Sequence, residues 1–298
     1  MRRAVAALAG AAATALTVAA WRAGRQRPAG PGPEPSRAGA GGGEPGSAPQ
    51  GWQRTNYRGR TVSLGGGIAA TTGTIAAAAT AGGTARTATA AALATAGAAG
   101  FGLIDDRDPD PGNARGLRGH LRALARGEVT TGALKLFGIP ALSLAAAALM
   151  EPEDRHHGGP VRRSLDVFAS GALIAGTANL INLFDLRPGR ALKATTLIAA
   201  PLAVLPGPPG RLGAGACGVV AAAWPDDLGE RTMLGDTGAN ALGALVGTGL
   251  ALVPSAAVRA GALTGVVALI VLSEKVSYSA VIDRTPLARA VDRWGRLP

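Results

Sequence analysis

This sequence is short of the residues that soluble domains use to build cores and surfaces. Aromatic residues make up 3% of its 298 positions and charged residues 16%, where an ordinary globular domain carries about 25% charged residues. The hydrophobic share of 47% therefore rests on Ala, Leu and Val, with 45 Gly beside it. Such a composition argues against a conventional soluble core and suits helices packed closely in lipid. Cysteine occurs once, at Cys217, inside an apolar run. An internal disulfide and a thiol metal cluster are excluded, and the side chain reads as a small buried hydrophobe. Acidic residues are also few, 19 against 30 Lys and Arg, for a net charge of +11. A basic balance suits nucleic acid or anionic headgroups. Here the arginines lie between apolar stretches and form no single patch, which speaks against nucleic acid and for a lipid bilayer.

What is present is a succession of apolar stretches. Residues 1–21 read as a basic start followed by an apolar run, either a signal-like anchor or a first membrane helix. Residues 22–55, rich in Gly, Pro and Ser over most of their length, read as a disordered linker. Residues 56–298 read as one multi-helix membrane domain. Its apolar stretches fall near 64–83, 87–104, 131–150, 165–184, 192–205, 212–224, 237–253 and 257–273. The expected fold is all-α, a polytopic bundle of about nine transmembrane helices, given that about 20 apolar residues span a bilayer. Most Lys and Arg fall in alternate loops, around 22–63, 105–130, 185–193, 226–236 and 274–298. The positive-inside rule assigns those loops to the cytoplasm.

The acidic motifs fall on that same side. Gly102-Leu-Ile-Asp105-Asp106-Arg107 ends one apolar stretch, Asn179-Leu-Ile-Asn182-Leu-Phe-Asp185 ends another, and Gly235-Asp236-Thr237-Gly238 begins a third. Any one of them also reads as a solvated helix end or an N-cap. Together, carboxylates converging at a membrane boundary suit Mg²⁺, which takes one or two protein carboxylates together with waters and substrate phosphates. Asn179 and Asn182 lie within an apolar run, where polar side chains tend to be functional. Lys135, about one turn into its stretch, reads as snorkelling to the headgroups. Gly65, Gly66 and Gly67 read as a close helix contact rather than a phosphate cradle. His156 and His157 fall on the opposite side and read as a solvated loop.

These motifs resemble those of the polyprenyl-phosphate phosphosugar transferases, the superfamily of phospho-N-acetylmuramoyl-pentapeptide transferase. Asp105 and Asp106 match its aspartate pair and Arg115-Gly116-Leu117 its following basic segment. Asn179 to Asp185 match the start of its Asn-x-x-Asn-x-x-Asp motif, and Met233 to Asn240 its Met-Gly-Asp motif. Arg58 to Gly66 match an early basic loop ending in glycines. The resemblance implies a plasma-membrane enzyme with a cytoplasmic site. It would transfer sugar-1-phosphate from a UDP-sugar to a polyprenyl phosphate with Mg²⁺, releasing UMP. It implies catalytic Asp105 and Asp106, a metal held by Asp236 and Asp106, and substrate contacts from Asn179, Asn182, Asp185, Arg115, Arg187 and Lys193. A homodimer is compatible with it. The chain departs from the pattern at Pro188, where the family has a second aspartate, and in lacking a late His-rich loop. A non-catalytic homologue that regulates or scaffolds envelope synthesis is the alternative.

Overall fold

The structure is a computed structural model that describes residues 1–26, 51–81, 83–108, 116–150 and 159–298. It is mostly helical. The elements are α1 (Arg2–Gln26), β1 (Gln53–Thr55), β2 (Thr61–Ser63), α2 (Gly65–Ala81), α3 (Ala85–Asp106) and α4 (Gly116–Ala125). They continue with α5 (Thr131–Leu149), α6 (Pro160–Phe184), α7 (Arg190–Ala203), α8 (Gly207–Leu228), α9 (Gly235–Ala251), α10 (Ala256–Ser273), α11 (Tyr278–Arg284) and α12 (Pro286–Arg293). Five of them, α1, α3, α5, α6 and α10, are long and apolar enough to cross a membrane. Every apolar stretch of the sequence coincides with a helix.

The helix starts follow local chemistry. Thr84 caps α3 by accepting from the Thr87 amide at 3.2 Å, and Thr130 caps α5 by accepting from the Ala133 amide at 3.1 Å. Pro160 opens α6, where a missing amide costs nothing. Pro206 precedes α8, and Pro208 and Pro209 fall in its first turn, so the chain turns sharply between α7 and α8 instead of forming one span.

α9 is the centre. Leu242, Leu245 and Val246 are completely enclosed, with α2, α3, α6 and α8 around them. Gly243 and Gly247 make the closest seam. A Cβ at Gly243 would sit 2.5 Å from the Ala178 Cα, and one at Gly247 would sit 2.9 Å from the Ile174 Cα. Small residues four apart let two helix backbones touch, which maximises dispersion where lipid offers no hydrophobic drive. The Gly65–Gly67 reading is borne out in the same way. A Cβ at Gly66 would meet the Met233 carbonyl at 2.7 Å, and Gly67 lies against the Leu234 carbonyl.

The N-terminal helix is an integral member. α1 packs on α2 and α8, Trp21 Nε1 donates to Ser63 Oγ at 3.1 Å, and Arg22 pairs with Asp226. It runs on to Gln26, past the linker boundary expected at Arg22, and Gln53–Thr55 forms β1 rather than linker. The remainder of that expected linker, 27–50, and the histidines His156 and His157 lie outside the described residues. The β1–β2 hairpin is held to the strand-like turn before α9, where Ser63 accepts from the Met233 amide at 2.9 Å. Successive long helices run up and down. The C-terminal ends of α1, α3, α6 and α8 and the N-terminal ends of α2, α5, α7 and α9 therefore share one pole.

Candidate active site at one pole of the bundle

The pole is organised by the first turn of α9. Gly235 has φ of +58°, a left-handed conformation that a side chain would strain. Its bare Cα also leaves room for the Asp106 carboxylate. Asp106 Oδ1 accepts from the Asp236 amide at 3.0 Å. Its Oδ2 accepts from the Thr237 amide at 2.8 Å and from Thr237 Oγ1 at 2.6 Å. Asp106 is thus the cap of α9, supplied from α3, and both of its oxygens are taken. In the structure Asp106 positions the start of α9, beside the catalytic and metal roles expected of it. Asp106→Ala should cost about 1–2 kcal/mol, read as a lower melting temperature in detergent.

The neighbouring carboxylate is freer. Asp105 and Asp236 keep 27% and 26% of their side chains exposed, and Lys135, on α5, lies between them with 15% exposed. The Lys135 ammonium pairs with Asp236 and stands 3.5 Å from Asp105 Oδ2. Thr131 Oγ1 lies 3.0 Å from Asp105 and 2.9 Å from Asp108. Lys135 therefore does not snorkel outward. Sequence reasoning missed it, although a lone cation one turn into an apolar helix was a usable signal.

A cleft of about 290 Å³ adjoins, lined among others by Asn56, Tyr57, Asp185, Arg187, Asp227 and Glu230. Asp185 Oδ2 is enclosed and has no hydrogen-bond partner among the described residues. Burial, with the charges of Asp227, Asp236 and Asp106 nearby, pushes its carboxyl well above the usual range. Asp227 was not anticipated; it comes from the last turn of α8, and its Oδ2 accepts from the Gly189 amide at 2.6 Å. The Arg187 guanidinium lies over the Tyr57 ring, 4.2 Å from its centroid, at the cleft wall. Asn182 Oδ1 and Asn240 Oδ1 are enclosed without partners among the described residues, while Asn240 Nδ2 donates to the Asp236 carbonyl at 2.7 Å.

Two expected contacts fall elsewhere, and a third lies outside the described residues. Asn179 is exposed on the outside of α6, because the inward positions there are Thr177, Ala178, Leu180 and Ile181. Lys193 donates to the carbonyls of Asp292 and Trp294, each at 2.7 Å, and so holds the C-terminal segment instead of the cleft. Arg115 lies outside the described residues. Among the described residues no group of three or more His, Cys, Asp or Glu side chains could hold a metal ion. What remains is the Asp105–Asp236 pair, hard oxygen donors partly open to solvent with an ammonium between them. That set can hold a cation, orient phosphoryl oxygens and take up a proton. No family model, curated protein or solved structure matches this chain.

Proposed function

We propose that this protein is a membrane transferase that moves sugar-1-phosphate from a UDP-sugar to a polyprenyl phosphate, releasing UMP. The observation that carries the reading is the convergence of Asp105, Lys135 and Asp236, from three helices, at one pole beside the Asp185 cleft. In this reading the nine longer apolar helices cross the plasma membrane and the pole faces the cytoplasm, where UDP-sugars are found. The arginine-rich loops on that side support the orientation.

The donor set suits Mg²⁺, which accepts one or two carboxylates and completes its shell with water and phosphate oxygens. Asp236 and Asp105 would hold it, and it would neutralise the diphosphate and polarise phosphorus–oxygen bonds. The chain's own groups do the rest. Lys135 offers ammonium protons to phosphoryl oxygens once these replace a carboxylate partner. Asp106 holds the start of α9, and hence Asp236, in place. The cleft, with Asp185 at its base and Tyr57 and Arg187 at its wall, receives the donor. The acceptor phosphate sits at the helix ends, where its lipid tail stays in the bilayer. Its oxyanion attacks the β-phosphorus, and the bridging oxygen leaves with UMP.

A second reading, a non-catalytic homologue that regulates or scaffolds, draws on a different observation. Lys135 fills the space between the carboxylates, and Arg190 and Lys193 are tied down by the C-terminal segment. One experiment separates the two. Purified protein is incubated with undecaprenyl phosphate, Mg²⁺ and a panel of UDP-sugars, and UMP is measured. Release that stops on addition of EDTA is expected. No UMP with any sugar, under conditions where the protein is folded, favours the second reading.

A further inference from the structure

After α10 the chain folds back along the same pole as α11 and α12. One face of α12 is clasped to the bundle. Asp292, 6% exposed, accepts from Arg190 at 2.8 and 3.1 Å and from Arg296 at 2.5 Å. Arg296 also donates to the Pro188 carbonyl at 2.8 Å, and the Trp294 ring lies 5.5 Å from Trp224. The opposite face has no cover among the described residues. Leu287 is 76% exposed and Val291 is 50% exposed. Four residues apart, they form one stripe. Arg289 and Arg293, two residues on from Leu287 and Val291, are also exposed but lie about 200° around the helix, on its polar side, and Arg284 is exposed at the end of α11.

The height of this stripe is fixed by its clasp. Arg190 and Lys193 belong to the first turn of α7, so α12 lies at the level where the bundle's helices end. A second copy of the chain is a poor occupant, because a two-fold contact sets the same patch against itself and brings its arginines together. An anionic lipid surface satisfies both halves of the pattern. Headgroup phosphates take the arginines, and the acyl boundary takes Leu287 and Val291.

We propose that α12 docks on an anionic phospholipid surface through Leu287, Val291, Arg289 and Arg293. The proposal rests on the membrane character of the chain and not on the transferase reading. The test uses the full-length protein with Cys217→Ala and a single fluorophore at Leu287→Cys or Arg289→Cys. Each is placed in nanodiscs of phosphatidylcholine alone or of phosphatidylcholine and phosphatidylglycerol in equal parts, with bromine on the acyl chains. Strong quenching at 287 and weak quenching at 289 are expected in the anionic discs, with much less at 287 in the neutral ones. Arg289→Gln or Arg293→Gln, with the label at 287, should each reduce the docked-to-released ratio about fivefold, the factor for one basic residue near such a surface. Absence of quenching at 287 in anionic discs overturns the proposal, whether the label is in water or under a second copy. Equal quenching in both lipids overturns the anionic assignment. Discs in which the labelled protein elutes as a single folded species qualify for the comparison.

Discussion

Asp236→Asn is expected to lower UMP release by about a hundredfold to a thousandfold, the range found when one preorganised electrostatic partner is removed from a site. The substitution keeps the side chain's shape and removes its charge. Lys135 then loses its nearer partner, and the donor set for Mg²⁺ loses half its charge. Asp105→Asn should follow the same direction with a smaller change, because its oxygens are shared with Thr131. Asn179→Ala serves as the control. That side chain is exposed on the outside of α6, and its loss should leave release unchanged. Full activity in Asp236→Asn and Asp105→Asn together would sink the assignment of the chemistry to this pole.

The second large effect is on stability. Asp292→Ala removes the one carboxylate among the described residues that faces Arg190 and Arg296, whose guanidinium groups are nearly buried. Leaving buried charge unpaired costs about 3–5 kcal/mol. The segment can also open locally, so part of the loss should emerge first as cleavage within 278–298 by added protease and only then as a lower melting temperature. Burial pushes the Asp292 carboxyl up, but the Arg190 hydrogen bond and the Arg296, Arg190 and Lys193 charges more than reverse this and hold it below its ordinary value. A depressed carboxyl stabilises the fold above its unfolded value, near 4. Its contribution is lost as pH falls through the lower folded value. Protection of the segment in wild type should therefore persist at pH 5 and fail only in stronger acid, whereas Asp292→Ala should be unprotected throughout.

The residues at which the sequence could be read are those whose signal is local. Asp105, Asp106, Asp185 and Asp236 stand where an apolar run stops or starts, and the structure brings them to one pole for that reason. The helices were legible because long Ala- and Leu-rich runs have few other folds available to them. What escaped was pairing across distance. Lys135 and Asp236 are 101 residues apart, and Lys193 and Asp292 are 99 apart. Nothing near Lys193 in the chain distinguishes a substrate contact from a clasp. The capping role of Asp106 escaped for a related reason. Beside Asp105 it looks like half of a reactive pair, but helical geometry turns successive side chains about 100° apart, so only one faces the open side. Asn179 is a matter of periodicity too, since it lies three positions before Asn182, an offset of about 60° around the helix, and is exposed on the outside.

The central position of α9 has a consequence for synthesis. Chains are made from the N-terminus, and segments begin to associate in that order. While α1 to α8 are being made, the groove that α9 will fill is already outlined by the small residues on α2, α3 and α6. During that interval Asp106 has no α9 amides to receive, and Lys135 lacks Asp236 and has Asp105, itself shared with Thr131. The site is therefore completed by a late arrival. A chain stopped before Gly235 would contain most of the bundle yet leave the Asp106 carboxylate without the amides it caps.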